Sequence, residues 1–210
     1  MSQAMSKPEL TVADLRILFQ GTSQGAALDY ALAQDHDARV EAVRKGVDFA
    51  CNELEQNKHK KQELGEDAIT LEVCSMLKMA GFQAAHDDDV GGHCDIVIKG
   101  RDLFLWLAEA KEHSDYAWLD KGFQQLSTRY STGVTGQDHG EILVYCYNQN
   151  AKTMLKKWRV ELEARNASVT TEESSCGNPL LFFSTHQHAA SGMDFHIRHK
   201  AVALHWDPKD

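Results

Sequence analysis

The middle of the chain alternates helical and strand-like patterns of apolar residues. Residues 65–80 carry apolar side chains at the spacing of one helix face, and Gly81 follows as a helix end. Short apolar runs that are typical of strands come next, then a second amphipathic helix and one more apolar run. These segments are the predicted strands at 82–86, 94–99 and 103–111, the helix at 117–130 and the strand at 141–148. Strands that alternate with helices predict an α/β fold, with a mixed sheet that has helices on both faces.

The two flanks of this region have patterns of their own. Residues 11–20 and 37–57 are amphipathic, so we expect residues 1–62 to form an N-terminal helical extension of the core at 63–148. Residues 149–210 are expected to complete the same domain. They are predicted to supply a helix at 151–166, a polar loop at 168–179 and a β-hairpin made of 180–188 and 194–206.

Charged residues stand at the end of the most apolar strand. Residues 103–108 are apolar on both faces, which is typical of a central strand that is covered on both sides. Glu109 and Lys111 follow on one face of this strand, because successive side chains alternate. A turn at residues 99–102 folds the preceding strand back, which brings Asp95 level with Glu109 to within a residue or two. Three charged side chains are therefore expected at one end of a buried sheet.

The flanking helices contribute two further candidates. Glu66 falls near the centre of the apolar face of helix 65–80, whereas Glu63 and Glu72 fall towards its edges. An acid at this place can also be a simple favourable charge at the start of a helix. On the helix at 117–130, Gln124 or Gln125 is expected to face the same site.

Together these residues resemble the PD-(D/E)xK nuclease superfamily, which includes restriction endonucleases, repair nucleases and many antiphage effectors. The resemblance covers roughly residues 64–148 and rests on motif order: Glu66 on a helix, Asp95, the run Glu109-Ala110-Lys111, and QLSTRY on the next helix. The proline that often precedes the first strand acid is replaced by Cys94. The resemblance implies a restriction-endonuclease-like core with the element order αβββαβ.

The chemistry of these residue types suits hydrolysis of a phosphodiester. Clustered carboxylates repel one another unless a divalent cation lies among them, and Mg²⁺ prefers oxygen ligands, with Mn²⁺ as a possible substitute. Lys111 would orient the attacking water or stabilise the developing charge, and Gln125 would hold Lys111, the water or a phosphate. The expected ligands are the carboxylates of Asp95 and Glu109, the backbone carbonyl of Ala110, and the carboxylate of Glu66 directly or through water.

Composition limits the choice of partners. The net charge of −9 argues against broad nonspecific affinity for nucleic acid, although basic patches occur at 58–61, 156–159 and 198–200. An acidic nuclease is expected to act as a homo-oligomer or in complex with a sensor or ATPase protein. Five cysteines without a CxxC pair favour a reducing cytoplasm, and the absence of a long apolar stretch argues against a membrane partner.

Two other sequence patterns match chemistry different from that of a nuclease. GTSQG at residues 21–25 matches the nucleophile elbow of serine hydrolases, but too few residues precede Ser23 to form the sheet that presents such a nucleophile. His186 and His188 share a strand face and could bind zinc, but no ligand series with a recognised spacing follows, so surface or interface histidines are the favoured interpretation.

The sequence therefore supports the hypothesis of a cytoplasmic, Mg²⁺-dependent DNA endonuclease that acts as an effector in defence against phage or plasmids. One alternative is an RNase or toxin-like effector on the same fold. Another is a noncatalytic adaptor that keeps the fold and binds a protein partner.

Overall fold

One seven-stranded mixed sheet organises the chain in the computed structural model, which describes residues 9–209. Its strands are β1 (Ala84–Asp89), β2 (His93–Lys99), β3 (Leu105–Glu112), β4 (His139–Cys146), β5 (Thr170–Glu173), β6 (Leu181–Gln187) and β7 (Asp194–Ala203). They lie in the order β1-β2-β3-β4-β7-β6-β5. The three central strands β3, β4 and β7 are parallel, and the neighbours on both sides pair antiparallel.

Helices cover both faces of this sheet. Within residues 9–209 they are α1 (Val12–Leu18), α2 (Ser23–Leu32), α3 (His36–Gln56), α4 (Glu66–Ala80), α5 (Tyr116–Gln125) and α6 (Ala151–Arg165). Along β4, Leu143 and Tyr145 pack in the core beneath α3 and α4, whereas Ile142 and Val144 pack beneath α5 and α6. A strand that is buried on both faces has to be apolar at consecutive positions, which explains its near-continuous apolar run. The predicted α/β class with a mixed sheet is confirmed.

The boundaries of several elements differ from the prediction. The strand predicted at 82–86 lies at Ala84–Asp89, because Phe82 packs into the core ahead of it, 3% exposed. The turn before β3 extends to Leu103, which has a φ of 60°, so β3 begins only at Leu105. The α-helical hydrogen bonding of α5 ends at Gln125, and Leu126–Tyr130 form a π-helical turn.

Strand β5 lies inside the segment predicted as a polar loop. It consists of two threonines and two glutamates, and it pairs with β6 at the edge of the sheet. An edge strand gains its stability from backbone pairing and presents few apolar side chains, so hydrophobic periodicity does not reveal it. The prediction of a loop at 168–179 is wrong for this strand.

The GTSQG segment connects two helices. Thr22 is the N-cap of α2, and its side chain accepts a hydrogen bond from the Gly25 amide at 3.0 Å. A nucleophile elbow requires a strand before the serine, but helix α1 precedes Ser23 here. The helix-capping geometry accounts for the motif. Among residues 9–209, no helix has both the length and the apolar character needed to cross a membrane.

Candidate functional site

The turn between β2 and β3 sets the position of the first two acids. Ile96 pairs with Ala108, which places Asp95 beside Glu109 as predicted. The backbone amide of Ala110 donates a hydrogen bond to Asp95 Oδ2 at 2.8 Å. This contact fixes one oxygen of Asp95 and directs the carboxylate towards the end of β3.

Lys111 lies among the acids. Its Nζ is 2.7 Å from Glu109 Oε1, 3.2 Å from Glu66 Oε1 and 3.6 Å from Asp95 Oδ2. It also donates a hydrogen bond to the Ala110 carbonyl at 2.9 Å. The Lys111 side chain is only 5% exposed, so one buried ammonium faces three carboxylates and cannot neutralise all of them.

Glu66 reaches the cluster from the opposite layer. It is the first residue of α4, where the positive end of the helix dipole favours a carboxylate. Its Oε2 accepts a hydrogen bond at 2.6 Å from the backbone amide of Glu112, at the end of β3. The helix start and the strand end are thereby held together, and the predicted inward orientation of Glu66 is what the structure shows.

The charge imbalance is visible in the pKa values. Burial, followed by repulsion from Asp95, raises the pKa of Glu109 from 4.5 to about 7. Burial also raises the pKa of Asp95, although Lys111 opposes this shift. Burial disfavours the charged form of Lys111, but attraction to Glu109 and Asp95 outweighs it and raises the pKa of Lys111 well above its usual value. The cluster as a whole has a deficit of positive charge.

Glu109 contributes a carboxylate oxygen that is not satisfied within the cluster. Glu109 Oε2 is buried and has no hydrogen-bond partner among residues 9–209. A buried carboxylate oxygen without a partner is costly unless a cation or a water satisfies it. The ligand atoms of Glu66, Asp95 and Glu109 do not all lie within 4.8 Å of one another, and Lys111 Nζ lies between them. For the three acids to share one ion, their oxygens would have to move closer together, and Glu109 Oε2 would be available as a ligand.

Helix α5 closes the cluster from the other side. A Cβ atom at Gly122 would lie 2.9 Å from Lys111 Cγ and 3.3 Å from Glu109 Cγ. The Trp118 ring centroid is 5.4 Å from Lys111 Nζ, within reach of a cation–π contact. Gly122 is not among the predicted site residues, although a glycine in a helix interior costs about 1 kcal/mol and thus signals a close approach of another element.

Gln125 bonds to a tyrosine instead of to the acids. Its amide donates to the Tyr130 hydroxyl at 3.3 Å, and within residues 9–209 it makes no hydrogen bond to Lys111 or to the carboxylates. Burial, and after it the charge of Glu109, raises the pKa of the Tyr130 hydroxyl. Gln124 turns away and bonds to Asn166 at 2.7 Å. The structure thus gathers Glu66, Asp95, Glu109 and Lys111, whereas Gln125 bonds to none of these four residues.

The predicted basic patches differ in their exposure. Lys156 and Lys157 are exposed on α6. The patch at 198–200 is not a surface patch, because Arg198, His199 and Lys200 are at most 8% exposed. Arg198 forms an ion pair with the fully buried Glu141 at 2.8 Å. Arg198 and Lys200 are paired with Glu141 and Asp48, so they are not available to a phosphate backbone.

The two histidines that were considered as possible zinc ligands are buried rather than exposed. His186 is 8% exposed and His188 is 5% exposed, so the favoured interpretation as surface histidines is wrong for both. Burial lowers the pKa of His186 to about 4, which keeps its ring neutral. Neither residue belongs to a group of three potential metal ligands within the described chain.

Comparisons with protein-family models, with curated proteins and with solved structures found no match to this chain. A function for the cluster has to be inferred from its geometry and its chemistry.

Proposed function

We propose that the chain is a metal-dependent nuclease that hydrolyses phosphodiester bonds, with DNA as its substrate. The observation that carries this proposal is the cluster in which the half-buried Glu66 and Asp95 meet the buried Glu109 and Lys111, with its unpartnered oxygen on Glu109 and its deficit of positive charge. The order of elements from α4 to β4 is the order αβββαβ that the PD-(D/E)xK resemblance implies. This agreement supports a restriction-endonuclease-like core.

The donor set fits Mg²⁺, with Mn²⁺ as a substitute. Asp95, Glu109 and the carbonyl of Ala110 would hold the ion, and Glu66 would contribute directly or through water. All of these donors are oxygens, which both ions prefer. A bound divalent ion lowers the pKa of a coordinated water and stabilises negative charge on the phosphate.

Lys111 supplies the positive charge that the reaction needs on the protein side. Its ammonium is fixed by several oxygens and backed by the Trp118 ring, so it is oriented before the substrate arrives. Such a preorganised cation stabilises charge that develops on the phosphate or orients the attacking water. Gln125 and Tyr130 support this side of the cluster through their hydrogen bond.

Exposed cations on α5 and on the turn that follows it would contact the substrate. Lys121 is exposed on α5, with its Nζ 4.8 Å from the centroid of the Trp118 ring that also contacts Lys111, and Arg129 is exposed on the turn that follows α5. With a net charge of −9, the chain needs further positive charge for tight binding, which a second copy or a sensor or ATPase partner would supply. An effector role in cytoplasmic defence against phage or plasmids follows by analogy with the superfamily.

The test is a cleavage assay with plasmid DNA, linear DNA and structured RNA in Mg²⁺, Mn²⁺ or EDTA. We expect metal-dependent cutting of DNA that is lost in Asp95→Asn and Lys111→Met. Asp194→Asn, which removes an exposed carboxylate at the start of β7, serves as the matched control and should cut normally. Degradation of RNA alone would identify an RNase instead. If the protein cuts nothing, alone or with its partner, then the nuclease proposal fails in favour of an adaptor.

A further inference from the structure

A second group of potential ligands lies away from the acid cluster. His36 is the first residue of α3, and Asp138 and His139 lie at the start of β4. His36 Nε2 is 2.7 Å from Asp138 Oδ1 and 3.2 Å from His139 Nδ1. His139 Nδ1 is 2.9 Å from the same aspartate oxygen. Two imidazole nitrogens and one carboxylate oxygen thus converge on one point.

The sheet register separates this group from the acid cluster. Lys111 pairs with Val144 on β4, five residues beyond His139, which corresponds to roughly 17 Å along the strand. The side chains also face different layers. His139 contacts α3, whereas Lys111 and Glu109 face Gly122 on α5. The two groups cannot share an ion.

The protonation states suit metal binding. Burial lowers the pKa of His139 to about 4, so its ring is neutral near pH 7; with the ring proton on Nε2, the Nδ1 lone pair can bind a metal in place of the hydrogen bond to Asp138. Burial opposes ionisation of Asp138, but its hydrogen bond with His139 outweighs this and lowers the Asp138 pKa. The three side chains are 16–21% exposed, which leaves a path for an ion and room for a water ligand.

The distances are close to those of a metal site. Zinc bonds of about 2.0–2.1 Å in a tetrahedral arrangement separate neighbouring ligand atoms by roughly 3.4 Å. The observed separations of 2.7–3.2 Å therefore need to expand by about 0.2–0.7 Å, a change that small side-chain rotations supply. A nearby ring, that of His196, lies 5.0 Å from His139 and is held by Thr185.

We propose that His36, Asp138 and His139 bind a divalent transition-metal ion, with Zn²⁺ as the best match and water as the fourth ligand. Two imidazoles and one carboxylate form a set typical of zinc. The ion fastens the start of α3 to the start of β4, and thereby ties the N-terminal helices to the sheet. This proposal is independent of the nuclease activity.

The test is a competitive titration of EDTA-treated, dialysed full-length protein with Zn²⁺ and a chromogenic chelator. We expect one tightly bound ion per chain, with an affinity that falls at least tenfold in His36→Gln, Asp138→Asn and His139→Gln. His93→Gln is the matched control, because His93 also pairs with an aspartate, Asp87, at 3.0 Å but lies in no group of three ligands among residues 9–209. Asp95→Asn changes the acid cluster and should lose only Zn²⁺ bound there, so it should keep the tight binding at His36, Asp138 and His139, as should His93→Gln.

A second measurement guards against variants that fold poorly. Co²⁺ in place of Zn²⁺ reports its coordination through its visible absorption, and we expect an intense tetrahedral spectrum in the wild type that is lost in His36→Gln. Circular dichroism of each variant checks folding. If no ion binds stoichiometrically, or if Asp95→Asn abolishes binding while His36→Gln does not, then the proposed site is wrong.

Discussion

Replacing Glu109 with glutamine tests the electrostatics of the cluster without any nucleic acid. Burial and the Asp95 carboxylate raise the pKa of Glu109 from 4.5 to about 7. Between these two pH values the folded chain holds a proton on Glu109 that the unfolded chain has lost. The Glu109 contribution to stability in EDTA should therefore fall as the pH rises through this window, because the ionised carboxylate is favoured in the unfolded chain.

The expected size follows from the same two pKa values. The interval from 4.5 to about 7 corresponds to about 3 kcal/mol, at about 1.4 kcal/mol per pKa unit. The Glu109 side chain is 2% exposed, so solvent screens this penalty little. Glutamine does not ionise. The free energy of unfolding of Glu109→Gln, relative to wild type, should therefore rise by about 3 kcal/mol between about pH 4.5 and pH 8, or roughly 6–12 °C in Tm.

The assay is chemical and thermal unfolding followed by circular dichroism at several pH values in EDTA. Glu172→Gln, at an exposed position of the edge strand β5, gives the baseline for removing a surface carboxylate. Added Mg²⁺ should stabilise the wild type above pH 7 far more than Glu109→Gln. If the stability curves of Glu109→Gln and wild type run parallel from about pH 5 to pH 8, then Glu109 does not carry this penalty and the reasoning is refuted.

Three further substitutions test the packing and the buried ion pairs. Lys111→Met leaves the acids without their ammonium, so we expect the free energy of unfolding in urea to fall by about 3–5 kcal/mol at pH 8. This loss should become smaller below pH 7, because Glu109 gains a proton there. Gly122→Ala places a Cβ 2.9 Å from Lys111 Cγ, so it should lower the free energy of unfolding by about 1–3 kcal/mol and weaken Mg²⁺ binding measured by calorimetry. An unchanged stability and an unchanged Mg²⁺ affinity would contradict the close packing. Arg198→Met should lower the free energy of unfolding by about 3–5 kcal/mol, because it leaves the buried Glu141 without its ion-pair partner. Adding Glu141→Leu should recover most of this loss. If it does not, then the loss does not come from the unpaired charge.

The parts of the site that follow from local rules could be predicted from the sequence. Side-chain alternation along β3 places Glu109 and Lys111 on one face, and the short turn after β2 fixes Asp95 beside them. Helical periodicity alone singled out Glu66. These rules work because each depends on a few consecutive residues and on one adjacent turn.

Other features depend on contacts between distant parts of the chain. His36 approaches Asp138 and His139 only because α3 packs across the sheet, and no sequence spacing signals such a meeting. The pairing of Arg198 with Glu141 depends on β7 lying beside β4, so the basic run at 198–200 looked like a surface patch. The edge strand β5 carries no apolar pattern.

The most direct test of the central claim is to locate a divalent ion in crystals soaked with Mn²⁺, using its anomalous scattering. We predict an anomalous peak within bonding distance of Glu109 Oε2, Asp95 and the Ala110 carbonyl in the wild type, and no such peak in Asp95→Asn. A wild-type map with strong Mn²⁺ peaks elsewhere and none beside Glu109 would contradict the account.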